Sequence, residues 1–166
     1  EYCRYFKDNY RVRYICLDEG RERIAAGSIE VEYISISKKG PIKWLQFSKR
    51  VGDFSMEGEF VLVKYFRLCS LLRVYLKGCR SLVLDVRTGS IDLSVWSRFI
   101  FNKTLTLESK FFDDVTIISD SLAQLLRIKK YTVIPLGAPV ATKEQKVFDN
   151  IRLIYVGTLS NRRIED

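Results

Sequence analysis

EFVLVKYFRLCSLLRVYLKGCRSLVLDVRTGS, residues 59–90, is the stretch that decides the fold. Its two ends, 59–66 (EFVLVKYF) and 81–87 (SLVLDVR), are short apolar runs bounded by turn residues. That is the pattern of strands covered on both faces. Between them, 67–77 (RLCSLLRVYLK) has helical spacing and stops at Gly78, a residue type that ends helices. Working outward toward the C-terminus, 92–112 reads as a long helix with apolar positions Val95, Trp96, Phe99, Leu105 and Leu107. Residues 113–119 (DDVTIIS) read as a strand, 120–128 (DSLAQLLRI) as a short helix and 131–135 (YTVIP) as a further strand. The alternation predicts an α/β fold, a Rossmann-like open and mostly parallel sheet with helices on both faces.

Toward the N-terminus, residues 1–9 resemble the last turns of an amphipathic helix, with Tyr2 and Phe6 on one side. Residues 11–17 (RVRYICL) read as a strand ending before Asp18, and 29–37 (IEVEYISIS) alternate strictly, the cleanest strand signal in the chain. Residues 38–56 suggest a short amphipathic helix carrying Trp44, Leu45, Phe47 and Val51 between Gly40-Pro41 and Gly52. A helix at the start is expected to follow a strand, and the apolar run 151–157 (IRLIYVG) is expected to begin a new layer. The architecture is therefore expected to be truncated at both ends. An unpaired strand at 151–157 could also join a second copy of the chain as a homodimer.

With 166 residues and 47% apolar content, the chain is large enough for a substantial core. No apolar run approaches the roughly 20 residues that cross a bilayer; Lys64 and Asp85 interrupt the longest. The four cysteines (Cys3, Cys16, Cys69, Cys79) form no CxxC pair and are expected to be small, buried, reduced thiols. There is no histidine, which argues against the usual zinc sites and removes the commonest general base. No metal and no cofactor are expected. The net charge of +8 points to an anionic neighbour: nucleic acid, a phosphorylated substrate or an anionic lipid surface. Lys64, Arg67, Arg73, Lys77 and Arg80 concentrate that charge without an intervening acid.

In an open parallel sheet, ligands bind outside the carboxyl ends of the strands. Asp85 stands near such an end, and Arg87, two residues on, faces the same side and could pair with it. The pair reads either as an internal bridge that fixes the turn or as a carboxylate and a phosphate- or sugar-binding arginine, with Thr88 beside them. Ser119, Asp120 and Ser121 join a strand to a helix, where they either cap it or present its N–H groups to an anion or to sugar hydroxyls. Gly157 and Thr158 follow the last strand in a similar way. Neither GxxxxGK[ST] nor GxGxxG occurs.

Three segments, VTIISDSLAQLL (115–126), TVIPLGAP (132–139) and RLIYVGTLS (152–160), taken with the strand VLDVRT (83–88), resemble the retaining glycosyltransferases of family four, which have the GT-B fold. The resemblance covers roughly residues 80–160. It implies an acceptor-side Rossmann-like domain over 1–138 that lacks its first strand, an interdomain linker over 139–150, and the first strand and turn of the donor-binding domain over 151–166. The implied protein moves a sugar from a nucleotide-sugar to a polysaccharide, lipid-linked or other acceptor with retention, and this piece alone is expected to be inactive. Asp85, Arg87, Thr88, Ser119, Asp120 and Ser121 become acceptor-binding candidates by the same resemblance. Gly157 and Thr158 become donor-phosphate candidates, although Thr158 stands where the family often has arginine and Leu136 where asparagine is common. A cytoplasmic protein with peripheral contact to an anionic membrane is implied, and no nucleic-acid partner. The competing reading is a basic, non-catalytic nucleic-acid-binding α/β module.

Overall fold

The computed structural model describes residues 3, 6–20, 23, 29–54 and 57–135. Their six strands are β1 (Arg13–Asp18), β2 (Glu30–Ser35), β3 (Phe60–Lys64), β4 (Ser81–Val86), β5 (Asp114–Ile117) and β6 (Thr132–Val133). Helix α1 (Pro41–Gly52) joins β2 to β3, α2 (Leu72–Tyr75) lies between β3 and β4, α3 (Val95–Glu108) between β4 and β5, and α4 (Asp120–Leu126) between β5 and β6. Every ladder is parallel. β1 pairs with β2, and β3-β4-β5-β6 form a second sheet in chain order. The chain is thus α/β with parallel strands, as an open Rossmann-like fold requires.

One hydrophobic core serves both sheets. Leu82, Leu84, Val86 and Ile117 are fully buried in the centre, and Ile34 of β2 belongs to the same cluster, with Ile15 and Leu17 of β1 packed against it. Strand β4 is buried along most of its length because it has a hydrogen-bonded neighbour on each side. The helical start expected at residues 1–9 is present where described, in the bonds from Lys7 N to Cys3 O (3.1 Å) and Tyr10 N to Phe6 O (2.9 Å).

Two expected helices differ from their reading. Residues 67–77 do not form one helix. A 3-10 turn, Cys69–Leu71, precedes the single turn of α2. Leu68 takes a left-handed φ of 67°, which breaks the helical path and turns Cys69 fully inward. The short α2 packs closely on the end of α1. A Cβ at Gly52 would lie 2.7 Å from Tyr75 Cβ, so glycine is what allows the approach. In α3 the expected apolar face is not the buried one. Val95, Trp96, Phe99 and Leu107 are exposed, while Leu105 and Glu108 are buried.

The cysteines are all free, as expected. Only Cys69 of the four is fully buried, and Cys3, Cys16 and Cys79 are half-buried. No helix among the described residues is long and apolar enough to cross a membrane. The linker 139–150 and the strand expected at 151–157, with Gly157 and Thr158, lie outside the described residues.

Candidate functional site

At the carboxyl ends of β3 and β4 the chain forms a cleft of about 460 Å³. It lies between Tyr65-Phe66-Arg67 after β3, the turn from Thr88 to Asp92 after β4, and Phe101, Asn102 and Leu105 of α3. The turn lies here because β4 ends at Val86 and α3 begins only at Val95. Asn102 organises it: the Ser90 backbone N–H donates to Asn102 Oδ1 at 2.8 Å. Since an N–H can only donate, the atom it meets is the amide oxygen, and the Asn102 NH₂ has no protein partner among the described residues. Gly89 lets the turn approach this amide closely, as a Cβ there would stand 3.2 Å from the same oxygen.

The rest of the turn is self-bonded. Asp92 accepts from Ser97 Oγ at 2.6 Å and from Ser94 N at 3.1 Å, and Ser94 caps α3. These bonds, the Ser97 hydroxyl first, hold the Asp92 carboxyl below the usual range. The walls are aromatic. Phe66 stacks on Trp44 with ring centroids 4.9 Å apart, and the Arg67 guanidinium lies 4.1 Å from the centre of the Phe101 ring. Arg67 is exposed and makes no ion pair among the described residues, so its charge is available at the cleft.

Beneath the cleft lies a buried polar group that the sequence reading missed. Glu108 accepts from Tyr65 OH at 3.1 Å, from Ser70 Oγ at 3.1 Å and from Ser70 N at 3.3 Å. It fastens α3 to the segment after β3 and so sets the width of the cleft. Burial, then the Glu108 charge, raises the Tyr65 hydroxyl and pushes the Cys69 thiol up to about 12. Both are therefore neutral hydrogen-bonding or packing groups, and Cys69 is no nucleophile.

The residues singled out from sequence divide sharply. Thr88 lines the cleft, its hydroxyl donating to Gly89 O at 2.9 Å. Asp85 is 4% exposed; it accepts from Arg87 Nε at 2.7 Å and from Thr116 Oγ1 at 2.8 Å. Burial raises its carboxyl, with the Thr116 bond and the Lys64 charge opposing. Asp85 and Arg87 thus form the internal bridge that ties the end of β4 to β5. Ser119 caps α4 by accepting from Leu122 N at 3.3 Å, and Asp120 accepts from Tyr131 OH at 2.9 Å. Ser121 is exposed beside them. α4 has seven residues, and this junction is structural. The cleft takes its chemistry instead from Arg67, Asn102 and the 88–92 turn, of which Asn102 and Asp92 were not among the sequence candidates.

A second hollow, of about 560 Å³, lies at the opposite, amino end of β5 between Asp113, Asp114, Lys110 and Lys130. It is larger, but it lies at the end of the sheet where parallel-sheet proteins do not hold ligands. The basic run 64–80 is likewise divided between the two ends. Arg67 sits at the carboxyl side, Arg73 donates to Asp113 at 3.0 Å before β5, and Arg80 lies over Phe60 before β4. Among the described residues no group of His, Cys, Asp and Glu could hold a metal. Compared with protein families, curated proteins and solved structures, the chain has no match.

Proposed function

We propose that this chain is the acceptor-binding part of a retaining glycosyltransferase, and that the acceptor lies in the cleft between Tyr65–Arg67, the 88–92 turn and Asn102. The observation that carries the reading is the make-up of that cleft. Aromatic walls suit the C–H face of a sugar ring, the Asn102 NH₂ suits a hydroxyl, and the Arg67 guanidinium suits a phosphate or carboxylate. Its position at the carboxyl ends of parallel strands and the likeness of 115–160 to the family-four glycosyltransferases support it further. On this reading residues 1–138 are the acceptor side, and the nucleotide-sugar is bound mainly beyond the described residues. Gly157 and Thr158 stand toward the donor phosphates, and the catalytic groups are supplied from outside the cleft. No step of the transfer is assigned to Asp85 or Arg87, which brace the strand.

A peripheral contact with an anionic membrane would bring a lipid-linked acceptor to this cleft from the cytoplasmic side. It is supported by α3, which holds Trp96, Phe99 and Ile100 exposed beside Arg98 and Lys103. A nucleic-acid-binding module asks for a continuous basic face, whereas the basic run is split between the ends of the sheet.

The test is turnover. The full-length protein, given a panel of nucleotide-sugars with polysaccharide and lipid-linked acceptors, is expected to transfer sugar with the anomeric configuration retained. Residues 1–166 alone are expected to transfer none. Inverted product, or no nucleotide-sugar consumed by the full-length protein, would remove the reading.

A further inference from the structure

The two sheets share one core but no ladder: β1 bonds to β2, β3 bonds to β4, and β1 and β3 are not paired with each other. They nevertheless lie side by side, because Arg13 Nη2 at the start of β1 meets Glu59 Oε1, one residue before β3, at 3.5 Å. Adjacent strands lie about 4.8 Å apart, so strands flanking an absent one lie roughly 10 Å apart, a distance that two long side chains bridge. The strand order has a definite sense. From the interval, β1 then β2 run outward on one side, and β3 to β6 run outward on the other. A doubly wound sheet is laid down in this way around a founding strand, and the interval occupies that strand's place.

Three further observations mark the interval. β1 is entered from a helical turn, seen in the bonds of Cys3 with Lys7 and Phe6 with Tyr10. A helix leading into a parallel strand is the second half of a right-handed crossover, whose first strand is a neighbour of the second. β2 already takes one side of β1, which leaves the side toward β3. On β3, Phe60 and Leu62 are exposed although the alternate residue Val63 is buried. Arg13 Nε and Ser48 Oγ are buried without a hydrogen-bond partner; one lies on β1 and the other on α1, the helix that crosses from β2 to β3.

We propose that the interval between β1 and β3 is a slot one strand wide, filled by a seventh parallel strand from the chain N-terminal to Glu1. The completed sheet then has the order β2-β1-insert-β3-β4-β5-β6. Its switch point, where the order reverses, falls between the insert and β3, beside the Tyr65–Arg67 wall of the cleft. The turn that follows the insert therefore becomes part of the cleft's rim. This holds whatever ligand the cleft takes.

Two experiments on the full-length protein test it. The Arg13–Glu59 contact sets Cys16 level with Leu62, and half-buried Leu62 tolerates replacement. With Leu62→Cys, oxidation is expected to give no disulfide to Cys16, since disulfides need Cα atoms within about 7 Å. A bis-maleimide of roughly 10 Å span is expected to join the two. A direct Cys16 disulfide would show the slot closed and overturn the proposal. With the photoreactive residue p-benzoylphenylalanine at position 62, the adduct is expected on a peptide N-terminal to Glu1. An adduct on residues 151–157, on a second copy of the chain, or on β4 alone would overturn the choice of occupant.

Discussion

Asp113 illustrates how single carboxylates hold this molecule together. One oxygen accepts from the Leu82 N–H at 2.9 Å and from Arg73 at 3.0 Å, linking α2, β4 and the start of β5. The backbone bond to Leu82, then the Arg73 bond, keep its carboxyl below the usual range, and Gly20 N–H and the Ser35 hydroxyl do the same for Asp18. A depressed folded-state pKa gives stability that is present above the unfolded value, about 3.9, and is lost as pH falls through the folded value. Asp113→Asn is therefore expected to lower the urea midpoint at pH 7. Its deficit against the parent should close in acid below the folded-state pKa; a deficit unchanged across that range would show that charge is not the cause. The Asp85–Arg87 bridge was legible because an acid two residues from an arginine in a strand shares its face. Asn102 was not. Its role depends on the turn after β4 folding back on α3, and no local pattern encodes a meeting across twelve residues of loop and helix.

At the scale of elements, α3 shows where hydrophobic patterning misleads. Trp96, Phe99 and Leu107 outnumber the apolar residues on the opposite face, so periodicity selects them as core. The buried face is instead Leu105 with Glu108, because Ser70 and Tyr65 satisfy the Glu108 carboxylate and remove the cost of burying it. Leu105→Ala is expected to cost about 2–5 kcal/mol in urea unfolding. Trp96→Ala, at a side chain 78% exposed, is expected to change stability by no more than about 0.5 kcal/mol. The reverse order would mean that the helix is rotated. The same Trp96→Ala change, combined with Phe99→Ala, is expected to weaken co-sedimentation with anionic vesicles while leaving zwitterionic vesicles unbound. Unchanged sedimentation would assign this face to another use. The strands were far easier to read, since 81–87 and 113–117 are apolar on both faces and match β4 and β5 closely. The helix expected over 67–77 failed at Leu68, whose left-handed backbone is a tertiary choice that no propensity announces.

The whole molecule is an open parallel sheet that presents one chemically mixed cleft at its carboxyl edge, and the alternation of apolar strands and amphipathic helices announced that plan. The separation of β1 and β3 was not visible in sequence, because pairing partners of parallel strands are set by crossovers rather than by neighbours in the chain. The central claim is that the cleft binds an acceptor while the donor is held elsewhere, and steady-state kinetics of the full-length protein with Asn102→Ala and Arg67→Ala test it most directly. Losing a hydrogen bond or a charged contact to the acceptor is expected to raise the acceptor KM by roughly tenfold, the equivalent of about 1.4 kcal/mol, with the nucleotide-sugar KM unchanged. A raised nucleotide-sugar KM with an unaltered acceptor KM would contradict the account.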